Sequence, residues 1–319
     1  MKISEIAKSA NTIGISGHIR PDGDCIGSCM GMYLFLKKVF PSKRIDVFLE
    51  NIPAEFNIIK DVSEVRTDFK TDVDKYDLFI VLDSGKDRIG DAESLFDKAV
   101  HTVNIDHHLS NSGTGMDNYI VPTASSAAEL VYNVIDKEYI DADIAQAIYI
   151  GIICDTGVFK YSNTSPETMR IGAELISYGF DFGKVIDGVF YEKTYIQNQI
   201  LGRALLESIL IMDGRCIVSM VNRQTMDFYE AMSSDLDGIV SQLMLTKGVN
   251  CAIFMHEMEP LSYKVSLRSD GMVNVAKVAE IFGGGGHARA AGLTINGTPH
   301  DVINSITLYL EQYLNGEKK

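Results

Sequence analysis

The sequence predicts an α/β protein of two domains: an N-terminal parallel sheet with flanking helices, then a smaller α/β domain. Three observations lead there. Short apolar, β-branched runs recur at 12–16, 45–49, 77–82 and 100–105 with helical stretches among them, the rhythm of βαβ units. That rhythm stops within 187–199, which reads as a linker between domains at 1–186 and 200–319. A length of 319 residues also exceeds the usual size of a single domain.

Residues 1–10 suggest an amphipathic helix. The strand at 12–16 runs into Gly17-His18-Ile19-Arg20-Pro21-Asp22-Gly23-Asp24, and 25–40 follows as a buried helix ended by Pro41. The run at 77–82 is almost wholly apolar and ends in Asp83-Ser84-Gly85; the run at 100–105 ends in Asp106-His107-His108. Residues 126–134 read as helix. Residues 143–154 read as helix too, although apolar enough for a strand, and lead into Asp155-Thr156-Gly157. Ser165-Pro166-Glu167 is a helix start, with Ser at the cap and Pro at the first position. That helix should reach about 178, with Gly179 as its cap. In the second domain, helices are expected at 196–210, 238–245, 273–282 and 301–314, and strands at 216–221, 251–257 and 263–267.

Composition narrows the function. At 46% hydrophobic and 23% charged residues, the chain is ordinary for a soluble globular protein. No apolar stretch reaches the roughly 18 residues of a membrane span, and the first residues lack a signal-peptide pattern. Five scattered cysteines, including Cys25 and Cys29 at helical spacing, read as reduced thiols, so a cytoplasmic setting is expected. The net charge of −14 argues against long nucleic acid, whose binding rests on neutralising many phosphates. A nucleotide ligand should therefore be short.

Four apolar elements end in acids or histidines: His18 with Asp22 and Asp24, then Asp83, then Asp106-His107-His108, then Asp155. In open α/β sheets, ligands bind at the carboxyl ends of strands. Each stretch alone could be a polar turn. Together they bring many carboxylates and imidazoles into one region, which requires cations. Oxygen and imidazole donors suit Mn²⁺, Mg²⁺ or Fe²⁺. Their number suffices for two ions roughly 3.5–4 Å apart, the arrangement that serves phosphoryl-ester hydrolysis. A second candidate site is Gly283-Gly284-Gly285-Gly286-His287-Ala288-Arg289, where missing Cβ atoms would let backbone N–H groups approach an anion. Arg268, at a strand end, suits bidentate phosphate contact.

Taken together these stretches resemble the DHH phosphoesterase superfamily, and 283–292 resembles the glycine-rich signature of its DHHA1 domain. Arg88-Ile89-Gly90-Asp91 and Thr156-Gly157-x-Phe159 are similar to the NrnA-type subgroup of oligoribonucleases and 3′-phosphoadenosine 5′-phosphate (pAp) phosphatases. The resemblance implies a mixed sheet in the DHHA1 domain and an active site in the cleft between the domains. It implies one Mn²⁺ on His18, Asp22 and Asp83 and a second on Asp24, Asp83, His107 and Asp155, with Asp83 bridging and Mg²⁺ or Fe²⁺ as substitutes. His108 would contact the scissile phosphate, and Asp106 would orient the histidines. Arg268, His287 and Gly284 to Gly286 would bind the substrate's other phosphate, with Arg88, Arg20 and Arg289 as further candidates.

The implied activity is hydrolysis of 2–5-mer RNA, or of linear dinucleotides such as pApA, to mononucleotides, and of pAp to AMP. A hydroxide activated between the two metals would attack in line. No membrane is implied, and a homodimer is compatible. The alternatives are a manganese inorganic pyrophosphatase, whose basic C-terminal signature has no counterpart here, a RecJ-like single-strand exonuclease, and a non-catalytic nucleotide sensor.

Overall fold

The computed structural model describes residues 1–315, so the last four residues of the expected second domain lie outside the described residues. The chain divides into two compact units at the Glu192–Lys193 bond.

The first unit is built on β1 (Thr12–Ser16), β2 (Arg44–Phe48), β3 (Leu78–Leu82), β4 (His101–Asp106) and β5 (Asp117–Ile120). All pair in parallel, in the order β2-β1-β3-β4-β5. The helices are α1 (Ile3–Ala7), α2 (Gly23–Val39), α3 (Glu93–Lys98), α4 (Ala127–Val134), α5 (Ala142–Thr156), α6 (Pro166–Ile176) and α7 (Phe182–Ile186). Ile13, Ile15, Ile80, Leu82, Val103 and Ile105 bury one sheet face against α2, α4 and α5. Phe79 and Val81 bury the other with Phe48, Tyr76 and Phe96. Burial on both faces explains why β3 is apolar throughout. The ambiguous run at 143–154 is helix: Asp141 caps it by accepting from Ile144 N, and its apolar side packs into the core against α2.

After β1 the chain crosses to β2 on one side, whereas β3 joins β1 on the other. The carboxyl ends of β1 and β3 therefore flank a topological switch point, where open α/β sheets bind ligands.

The second unit has a mixed six-stranded sheet, order β10-β11-β9-β8-β7-β6. Its strands are β6 (Ile209–Ile211), β7 (Cys216–Val221), β8 (Cys251–Glu259), β9 (Ser262–Ser269), β10 (Gly285–His287) and β11 (Ala290–Asn296). Only β7 and β8 pair in parallel. Its helices are α8 (Tyr195–Leu206), α9 (Arg223–Phe228), α10 (Ile239–Leu243), α11 (Val275–Ile281) and α12 (Pro299–Leu314). Each sheet face carries its own apolar cluster.

Two expectations change. The segment 187–199 is largely helical, with a π-turn at Asp187–Tyr191 and α8 from Tyr195. Thr194 and Gln197 form a capping box there, which starts α8 one residue before the helix expected from 196. The glycine run is also less of a loop than expected, because Gly285–His287 pairs with Ala290–Gly292 as the edge hairpin of the sheet.

Candidate metal centre

Each donor is fixed by the element that carries it. Asp22 caps α2, its carboxylate accepting from the N–H groups of Asp24 and Cys25 at 3.1 Å each. Asp24, in the first turn of α2, is buried and accepts from Ala127 N at 2.6 Å and Ala128 N at 2.9 Å. The amino end of α4 thus holds that carboxylate in place. Asp83 follows β3 at φ +58°, an uncommon conformation for a non-glycine residue, and is buried. His107 follows β4, and Asp155 lies in the last turn of α5.

The side chains converge. His18 Nε2 lies 3.3 Å from Asp83 Oδ2 and 3.7 Å from Asp22 Oδ1. His107 Nε2 lies 3.4 Å from Asp83 Oδ1, 3.4 Å from Asp155 Oδ2 and 3.8 Å from Asp24 Oδ2. The two oxygens of Asp83 therefore face two separate donor groups. His18 Nδ1 is taken up by the Ile19 carbonyl at 2.9 Å, which leaves Nε2 as the inward nitrogen.

The electrostatics call for cations. Burial, with Asp83 and Asp155 nearby, pushes the Asp24 carboxyl well above its usual range. Burial likewise raises Asp155 to about 6, against the pull of His107. Burial opposes the charged form of His18, but hydrogen bonds to Asp22 and Asp83 outweigh it and hold the imidazole at about 10. Asp83 Oδ1 is buried with no hydrogen-bond partner, and such an atom is costly unless something else satisfies it. An all-oxygen and imidazole donor set with an orphaned, inward-facing carboxylate oxygen fits hard divalent ions. Cys25 lies within 4.8 Å of the His18 and Asp83 donor atoms, but burial pushes its thiol well up, so it forms a neutral wall.

An ion held by His18 would displace the proton on it, so affinity should then rise with pH. One displaced proton per ion gives about tenfold per pH unit. From pH 5.5 to 7.5, calorimetric titration with Mn²⁺ should show affinity rising on the order of 100-fold, with proton uptake by the buffer. An affinity that stays flat across that range would contradict the protonated His18.

His108 also approaches these donors, its Nδ1 lying 3.6 Å from Asp83 Oδ1, but its nearer partner is Asp106. Its Nδ1 is 2.8 Å from Asp106 Oδ1, which leaves Nε2 unengaged by Asp106. That pairing also raises the imidazole pKa, the Asp106 hydrogen bond being the largest cause. Fully buried Asp106 accepts from the His107 and His108 N–H groups at 2.7 and 3.1 Å and from Asn111 Nδ2 at 2.6 Å. Asn111 also donates to Asn104 Oδ1 at 3.0 Å. Buried Asn104 donates in turn to the Val81 and Ser84 carbonyls at 3.2 and 2.8 Å, which ties the ends of β3 and β4 together. Sequence reasoning missed both asparagines; the available signal was a lone amide inside an apolar strand.

Beside His108, a cavity of about 290 Å³ is lined by Ser84, Arg88, Ser110 and Thr114 among others. Arg88 is exposed, and its carbonyl accepts from Ile19 N at 2.8 Å, linking this loop to the one that carries His18.

In the second unit, Arg268, Ala290 and His287 are register partners on β9, β11 and β10. Aligned partners project from the same sheet face, so the two basic side chains flank a small alanine. Arg268 is half-buried and donates to the Leu267 carbonyl at 3.0 Å, while His287 is exposed. Arg289 lies over Gly271 instead. The glycines at 284 and 286 have a packing reason of their own. A Cβ would stand 2.3 Å from the Gly292 carbonyl at the first and 2.4 Å from the Ala290 carbonyl at the second, whereas Gly285 faces open space.

The N-terminal domain of the DHH family matches residues 12–152, and a DHHA1 domain matches residues 213–316. The chain belongs to the DHH family. It is therefore a hydrolase of phosphate esters, and its first unit carries a candidate metal centre. It is 28% identical over 305 residues to a bifunctional oligoribonuclease and PAP phosphatase NrnA of Thermus thermophilus, covering 94% of this chain and 89% of that protein. It is 27% identical to the Bacillus subtilis protein of the same description, covering 89% and 90%. An exopolyphosphatase-related protein from Bacteroides fragilis superposes with a TM-score of 0.84 at 26% identity, over 98% of this chain and 95% of that one. Among the described residues, no helix is long and apolar enough to cross a membrane.

Proposed function

We propose that this DHH protein hydrolyses short oligoribonucleotides of two to five nucleotides, including pApA, to mononucleotides, and dephosphorylates pAp to AMP, using two Mn²⁺ ions. The observation that carries the two-ion reading is Asp83, whose carboxylate oxygens face His18 at 3.3 Å and His107 at 3.4 Å. His18, Asp22 and Asp83 would hold one ion, and Asp24, Asp83, His107 and Asp155 the other. Bound metals supply charge neutralisation at the phosphate and a water of lowered pKa.

The chain's own residues do the rest. Asp106 keeps a proton on His108 Nδ1, and its charge favours a second proton on Nε2. His108 can then donate from Nε2 to a phosphate oxygen as negative charge builds. Asn111 and Asn104 keep Asp106 from turning away. Arg88, beside His108, would bind the substrate on the first unit. On the second, Arg268 and His287, with Arg289 and Gly284 to Gly286, would hold the substrate's other phosphate. The relatives' names support the substrate class, and the acidic composition supports short chains over long ones.

The test is a comparison of rates with Mn²⁺ on pAp, pApA, a short RNA, a long RNA and pyrophosphate. Phosphate and AMP from pAp, with mononucleotides from pApA, are expected. Turnover of pyrophosphate alone, preference for the long RNA, or no turnover at all would each replace this reading with one of its alternatives. For His108→Ala, bound metal should persist while kcat falls by about 10²–10⁴. Loss of a bound ion in that variant would make His108 a ligand.

A further inference from the structure

The turn after Asp155 is strained in a way that metal binding does not require. Gly157, Val158 and Phe159 take positive φ in succession, +56°, +57° and +62°. A β-branched and an aromatic residue are rare in that region, and such strain persists only where surrounding structure enforces it. Here it is enforced. Val158 N donates to the Ile153 carbonyl at 2.8 Å, and the N–H groups of Lys160 and Tyr161 donate to the Thr156 carbonyl at 2.9 and 2.8 Å. Phe159 anchors the turn: its ring occupies the space beside Gly172, where a Cβ would stand 2.8 Å from it, and its centroid is 6.0 Å from that of Tyr149.

What the strain achieves is visible at Tyr161. Its ring lies face down on Gly157, where a Cβ would stand 2.4–2.8 Å from three ring carbons. Any side chain at 157 would lift the ring away. The residue is nevertheless 56% exposed. One ring face is thus backed by the main chain while much of the side chain stays in water. Asn163 Nδ2 closes the segment by donating to the Asp155 carbonyl at 3.1 Å and to the Ser125 carbonyl at 2.9 Å. The aromatic ring is therefore held at a set position on the loop that leaves a metal-donor residue.

We propose that Tyr161 is a nucleobase platform: a base of the substrate whose phosphate occupies the metal centre stacks on its open face. The substrate class rests on the function proposed above; the platform itself rests on the turn. A flat, one-sided aromatic surface fits a base, because every base has a π-face and stacking tolerates any of them. Neither a phosphate nor a bare ribose has such a face.

Two variants test this. Tyr161→Ala should lose roughly tenfold in kcat/KM on pAp but keep its rate on ribose 3,5-bisphosphate, which has the same phosphates and no base. Tyr161→Phe should match the parent on both. Equal losses on the two substrates, or no loss on pAp, would overturn the proposal. The sequence contains no tryptophan, so Tyr161→Trp installs a sole reporter. With Mg²⁺ present, AMP should quench its emission and ribose 5-phosphate should not. Emission unmoved by AMP, or quenched alike by both, overturns the platform. If the parent protein turns over neither pAp nor pApA, the function proposed above fails, and this optical arm still decides whether a base stacks at residue 161.

Discussion

Replacing Asp83 with Asn should abolish both turnover and the stabilisation that metal ions give. Asp83 is buried, one of its oxygens is orphaned, and its charge helps to drive up the carboxyl pKa values of Asp24 and Asp155. A neutral amide removes that repulsion together with the attraction for His18 and His107, and the two effects oppose each other in the metal-free protein. Asn also accepts the left-handed backbone at this position (φ +58°) more readily than most residues. The fold should therefore survive. The charge proposed to bridge the ions would not, and with it would go the site's hold on both. Metal catalysis is worth several kcal/mol, so kcat should fall on the order of 10³-fold or more. Ion binding at 100 times Kd should stabilise the parent protein by about 2.7 kcal/mol, and the variant should lose that gain. Calorimetric melting with and without Mn²⁺ reads that loss. A variant that keeps the metal-induced rise would show that Asp83 does not bridge two ions.

The features legible in the sequence were those that local pattern determines. Apolar runs between helical stretches located β1 to β4 because both faces of that sheet are buried. The donors were legible because acids and histidines at the ends of apolar strands are conspicuous. By contrast, β5 is only partly buried, and β6 is a short edge strand with mostly exposed residues, so neither offered a periodic signal. The hairpin β10–β11 hid behind glycines, which resemble a loop until their close approach to the neighbouring strand is visible. The supports of the site were also out of reach. Asn111 matters because of Asp106, and Glu129 because it accepts from Ser125 and Thr168 at 2.6 and 2.7 Å. Those pairings exist only once the helices have packed.

The second large effect follows from that packing. Gly151→Ala should destabilise the first unit and weaken metal binding together. α5 crosses α2 closely at Gly151 and Gly27, where a Cβ on Gly27 would stand 2.6 Å from both the Ala147 carbonyl and Gly151 N. A Cβ on Gly151 would stand 2.4 Å from Ala128 Cβ and 2.9 Å from Asp24 Oδ1. Neither neighbour can yield freely, because the N–H of Ala128 is one of the two donors that hold Asp24. Overpacking of this kind costs about 1–3 kcal/mol, which a domain of ordinary stability survives. The functional cost should be larger, since displacing Asp24 would remove a donor proposed for the second ion; a fall in kcat of roughly 100-fold is expected. Gly27→Ala is the control. It overpacks the same crossing without touching the Asp24 carboxylate, so it should lose similar stability and much less Mn²⁺ affinity. Equal losses of affinity in the two variants would mean that helix separation, rather than contact with Asp24, governs the site.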